Sequence, residues 1–119
     1  MRDIRTWIGI AALLALASTA AAAESQASYA APNPFHVGLE STAIYYGIAT
    51  AGTVQVQVYT LQGGLVWQSS QQESATGPAL RHVTWDGRNG AGAPVRNGVY
   101  VCRITSGKQS ETFKIAVLR

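Results

Sequence analysis

Asp86-Gly87-Arg88-Asn89-Gly90-Ala91-Gly92 is the stretch whose residue types come closest to a chemical site. Read as a calcium loop, it has Arg88 and Gly90 where oxygen ligands should alternate, and no Glu closes the set. As a phosphate cradle it lacks a helix N-terminus, because Pro94-Val95 opens no helix. Asp and Asn side chains bonding nearby backbone, with Gly supplying positive φ, account for it as a structural turn. His36 and His82 lie in separate segments, and no Ser, His and Asp arrangement marks a triad. Of six carboxylates, Asp3 belongs to the N-terminal segment; Glu24, Glu40, Glu73, Asp86 and Glu111 form no recognisable pair. Cys102 is the only cysteine, which excludes an internal disulfide, a CxxC pair and a Cys-rich zinc site. The expectation is a non-catalytic chain with no cofactor and no metal; a small hydrolase is the residual alternative.

The segments around these residues decide where they work. Arg2 and Arg5 precede an apolar run over residues 7–17, and Ala21-Ala22-Ala23 stands before Glu24. A charged start, a short apolar run and small residues at the end describe a secretory signal peptide cleaved after Ala23. The run falls short of the roughly 20 apolar residues that span a bilayer. The expected organisation is therefore a signal peptide over 1–23, a flexible leader over 24–31 and one domain over 32–119. The mature chain is expected to have no transmembrane segment and to be exported to the periplasm, the cell surface or the medium.

Charged residues make up 13% of the chain, against about 25% in an ordinary soluble protein. The formal net charge is +3, and losing Arg2, Asp3 and Arg5 leaves +2. The cations are spread singly, so no nucleic-acid partner is expected.

Short alternating runs between turn signals predict an all-β sandwich. Pro32-Asn33-Pro34 fixes a short extended segment running into Phe35, and from there seven runs can be drawn. In the clearest, Val54, Val56 and Val58 share one face while Gln55, Gln57 and Tyr59 share the other. Ile44, Tyr46 and Ile48 alternate before it. A run at 65–68, a polar loop over 69–78 and a run at 80–85 follow. Trp85 ends that last run on the face of Val83 and is expected in the core. Beyond the Gly-rich loop, Tyr100, Cys102 and Ile104 share a face, as do Phe113, Ile115 and Val117, leaving Lys114 solvated. Outward aromatics at Tyr45, Tyr59 and Trp67 suggest a strip that binds sugar or peptide, the second functional reading.

Several of these pieces resemble one family. They are Pro32-Asn33-Pro34-Phe35, Val56-Gln57-Val58-Tyr59, Val83-Thr84-Trp85-Asp86-Gly87-Arg88-Asn89, Gly98-Val99-Tyr100 and the stretch 114–119. Together they are similar to the immunoglobulin-like domain of flagellar hook-capping proteins (FlgD type) and of the C-terminal sorting domains of type IX secretion. The resemblance covers residues 32–119. It implies a seven-stranded immunoglobulin-like β-sandwich without catalysis, used for sorting, attachment or assembly at the bacterial cell envelope. Its structural motif would be Pro34, Phe35, Trp85, Asp86, Gly87, Arg88, Asn89, Gly98 and Tyr100. The implied partner is a protein of the envelope or secretion machinery, with Lys114 and Arg119 as sorting or interaction residues.

Overall fold

The structure, a computed structural model, describes residues 27–47, 51–74 and 80–119. The expected signal peptide, residues 24–26 of the leader, Ile48 and residues 75–79 lie outside them. Eight strands follow in order: β1 (Tyr29–Ala31), β2 (Phe35–His36), β3 (Thr42–Gly47), β4 (Gly52–Thr60), β5 (Leu65–Glu73), β6 (Leu80–Trp85), β7 (Gly98–Ser106) and β8 (Gln109–Leu118). They form a three-stranded sheet, β1-β3-β6, and a five-stranded sheet, β2-β8-β7-β4-β5. All neighbours are antiparallel except β2 and β8, which run parallel.

The two sheets bury the alternate residues of their strands against each other. Val54, Val56 and Val58 of β4, Tyr100, Cys102 and Ile104 of β7, and Ile115 and Val117 of β8 supply one wall. Ile44 and Tyr46 of β3 and Trp85 of β6 supply the other, with Phe35 between them. The period-2 pattern thus predicts the core of the long strands correctly. Phe113 packs against that core from a half-buried position.

Two expectations need correction. Eight strands stand where seven were expected, and one of them, β1, lies inside the stretch read as a flexible leader. Tyr29, Ala30 and Ala31 pair with Tyr45, Ile44 and Ala43, so this part of the leader belongs to the domain. Its inward residues, Ser28 and Ala30, are small, so burial leaves no hydrophobic alternation to read. The polar loop expected over 69–78 is strand as far as Glu73, paired with β4 from Gln55↔Ser70 to Gly52↔Glu73. Its inward positions are Ser69, Gln71 and Glu73, because β5 is an edge strand that meets polar groups.

The Gly-rich stretch is a turn whose polar groups serve the fold. Trp85 Nε1 donates to the Arg88 carbonyl at 2.9 Å, and Asp86 Oδ1 accepts from the Arg88 N–H at 3.0 Å. Asn89 Oδ1 accepts from the N–H groups of Ala91 and Ala93, both at 3.0 Å. The Gly90 N–H reaches across to the Val66 carbonyl at 3.0 Å and so closes part of the open edge of β5. Gly87 has φ of +80°, and a Cβ there would run into Val37 and the Phe35 ring. Gly87→Ala is therefore expected to cost about 1–3 kcal/mol from the left-handed backbone alone, with overlap added to it. A urea midpoint equal to the parent's would refute that reading.

Candidate functional site

The side chains that β4, β7 and β8 turn away from the core make up the outer face of the large sheet. Register fixes which of them are neighbours. Lys114, Val101, Tyr59 and Leu65 form one row across four strands, and Thr112, Arg103, Gln57 and Gln68 form the next. Beyond the first row, Ala116 pairs with Val99, and Leu118 pairs with His36. Leu65, Val99 and Leu118 are 50%, 41% and 40% exposed, and Leu61 is wet in the adjoining β4–β5 turn. Among the described residues, this end of one face gathers most of the exposed large aliphatic side chains. The opposite end of the face is Gln, Ser and Thr. There a shallow hollow of about 410 Å³, lined by Thr53, Gln55, Thr105 and Ser106 among others, holds no titratable side chain.

Charge on this face is one-sided. Arg103 and Lys114 are exposed, and among the described residues neither side chain makes a hydrogen bond or ion pair. No outward strand position of the face carries a carboxylate, since Glu73 and Glu111 sit on inward positions. Both residues expected from the sequence to interact, Lys114 and Arg119, are exposed here or at its margin.

The backbone of β8 is held on both sides. β7 pairs with it from Gln109 to Val117, and on the other edge the Asn33 amide takes the place of a neighbouring strand. Asn33 Nδ2 donates to the Lys114 carbonyl at 3.0 Å, while Asn33 Oδ1 accepts from the Ala116 N–H at 2.9 Å. Phe35 then pairs with Val117, and the Val37 N–H donates to the Leu118 carbonyl at 2.9 Å. Pro32 and Pro34 flank this contact, which gives the Pro-Asn-Pro-Phe run a physical purpose. Over residues 114–118, a partner therefore meets side chains rather than free strand edge.

The other expected residues fall elsewhere. Phe35, Trp85 and Tyr100 are core, and Tyr100 OH donates to the Arg96 carbonyl at 2.8 Å. Asp86, Gly87, Arg88 and Asn89 form the turn, while Gly98 opens β7 with φ of +150°. The expected strip of Tyr45, Tyr59 and Trp67 does not form. Tyr45 lies on the small sheet and Tyr59 on the large one, while Trp67 turns inward, its ring centroid 6.1 Å from that of Trp85. Tyr45 instead stacks on Tyr29 at 4.9 Å and meets His82 at 5.4 Å, a cross-strand ladder in which the tyrosine faces cover each other. His36 lies by Glu40, with Nδ1 at 3.4 Å from Oε2, and belongs to the large sheet while His82 belongs to the small one.

One polar cluster links the sheets. Tyr46 OH donates to Glu73 Oε2 at 2.5 Å, and Arg81 Nη1 donates to Glu73 Oε1 at 3.0 Å. Burial and the neighbouring carboxylate hold the Tyr46 phenol protonated far above its ordinary range. The Tyr46 hydrogen bond, then Arg81, holds the Glu73 carboxyl below its usual value. Because the folded value is depressed, the stability that Glu73 contributes is present above the ordinary carboxylate range and is lost as pH falls through it. Glu73→Gln is expected to cost about 1 kcal/mol at neutral pH and to flatten the acid limb of a melting-temperature profile. Parallel acid limbs in parent and variant would show that Glu73 titrates normally.

No protein-family model and no curated protein matches the chain. Solved structures do. A chain of PorZ, an essential bacterial surface component of the type IX secretion system of Porphyromonas gingivalis, is similar over 77% of this chain at 28% identity and a TM-score of 0.55. Dimeric latent PorU from the same organism is similar in fold over 76% at 21% identity and a TM-score of 0.57. The chain spans 11% of the PorZ chain and 9% of the PorU chain, so what is matched is one small part of each. The chain is thus an all-β sandwich similar to part of a type IX secretion component.

Proposed function

We propose that the chain is an exported, non-catalytic, immunoglobulin-like module of the hook-capping and type IX sorting kind, which attaches or sorts protein at the bacterial cell envelope. The likeness to a surface component of type IX secretion carries this reading. The Trp-Asp-Gly-Arg-Asn and Gly-Val-Tyr runs, placed at a core tryptophan and the start of β7, support the same family. The outer face of the large sheet is the part that meets the partner, a protein of the envelope or secretion machinery. Lys114 and Arg119 take part, Lys114 through its side chain because the β8 backbone beneath it is already paired.

The test separates folding from delivery. Lys114→Ala and Arg119→Ala are expected to leave stability within about ±0.5 kcal/mol of the parent, as exposed substitutions do. Both are expected to lower the fraction of protein reaching the surface of the native host. The measurement is melting temperature of each purified variant beside its distribution between periplasm and surface. Variants that melt and localise like the parent sink the sorting reading. Variants that lose both together assign the residues to the fold instead.

A further inference from the structure

We infer that the outer face of the large sheet docks an acidic protein segment, with a partner carboxylate seated between Arg103 and Lys114 and aliphatic side chains laid along the adjoining row. The inference rests on the reading of the chain as a docking module and names the chemistry of its partner. Arg103 pairs with Thr112 and Val101 with Lys114, so the two cations are diagonal neighbours on adjacent strands. Their side chains leave the sheet about 7–8 Å apart. Like charges at that spacing repel, no described outward strand position of the face carries a carboxylate to offset them, and the chain is net positive. A single carboxylate lying between them relieves the repulsion and gains two charge-assisted contacts.

The rest of the row decides the class of partner. Val101, Tyr59 and Leu65 continue from Lys114, with Val99 exposed alongside, so the cations border an apolar surface. Anionic membranes and nucleic acids are met by clusters or stripes of Lys and Arg, and two cations do not make one. A protein segment alternating acidic and aliphatic residues fits both halves of the face.

The probe is a short synthetic peptide of alternating Leu and Glu, compared with its Leu and Gln counterpart, titrated into the purified full chain and followed by backbone amide NMR. The Glu peptide is expected to shift the Val99, Val101 and Lys114 amides and to bind about tenfold more tightly than the Gln peptide, the sum of two exposed charge contacts. Added salt and the double variant Arg103→Gln, Lys114→Gln should erase that preference, while Leu65→Ser should weaken both peptides and keep it. Equal binding of the two peptides, or shifts confined to the small sheet, overturns the inference. If the preference is absent while Lys114→Ala still lowers surface delivery, the partner chemistry falls and the sorting reading stands. If the preference is present while delivery is untouched, the docking chemistry stands and the sorting reading falls.

Discussion

Trp85→Ala is expected to lower folding stability by about 3–5 kcal/mol, the usual range for emptying a large buried aromatic site. Its side chain is fully buried and meets three other rings, Phe35 at 5.6 Å, Trp67 at 6.1 Å and Tyr100 at 6.1 Å between centroids. These rings come from β2, β5 and β7, so the cavity would open where strands of the large sheet meet the small one. Collapse around it is restricted, because Phe35 is held by the pairing of β2 with β8 and Tyr100 by its bond to Arg96. The variant also loses the Nε1 bond to the Arg88 carbonyl that anchors the Asp86–Asn89 turn. Small domains have about 5–15 kcal/mol of stability in all, and each kcal/mol moves Tm by about 4–8 °C at this size. Trp85→Phe keeps the ring contacts and should cost clearly less. The urea midpoint decides: an unchanged value for Trp85→Ala would mean that the tryptophan does not organise the core.

What the sequence discloses follows from which residues are large and which are near each other along the chain. Val54, Val56 and Val58 announce their face because three β-branched residues alternate with polar ones. Trp85 announces itself by its strand and the Asp that starts the turn. β1 stays hidden because Ser28 and Ala30 are buried without being apolar bulk, and the second half of β5 because Glu73 turns inward to Tyr46 and Arg81 rather than to hydrocarbon. The candidate surface is harder to see than either. Val99, Tyr59, Leu65 and Lys114 come from four strands, and only the register, including the shift between Val58 and Tyr59, brings them into adjoining rows. The same limit explains the strip that fails to form: period 2 sets the face of each aromatic within its strand, but it says nothing of which sheet that strand joins. Asn33 was legible only as part of an extended Pro-Asn-Pro segment, since its amide acts on a strand 81 and 83 positions later.

Cys102 offers the largest effect of all, read in chemical labelling rather than in activity. The thiol is fully buried between strands β4 and β8, and burial pushes its pKa up to about 12. A thiol-alkylating reagent reaches it only when the sandwich opens, so the native protein should label slower than the urea-unfolded chain by about 10³–10⁸-fold, the folding equilibrium constant of a small domain. Where reclosing outruns the reagent, that ratio reports global stability, and a loss of about 3–5 kcal/mol in Trp85→Ala should speed labelling by about 10²–10⁴-fold. The pH dependence has a definite sign. A raised pKa in the folded state means the contribution is intact below the unfolded value, about 8.5, and is lost as pH rises above it, because only the unfolded chain then gains by ionising. Rapid labelling of the native parent at neutral pH would place the thiol at the surface, and a labelling rate unmoved by Trp85→Ala would show that β7 opens without the core around Trp85 coming apart.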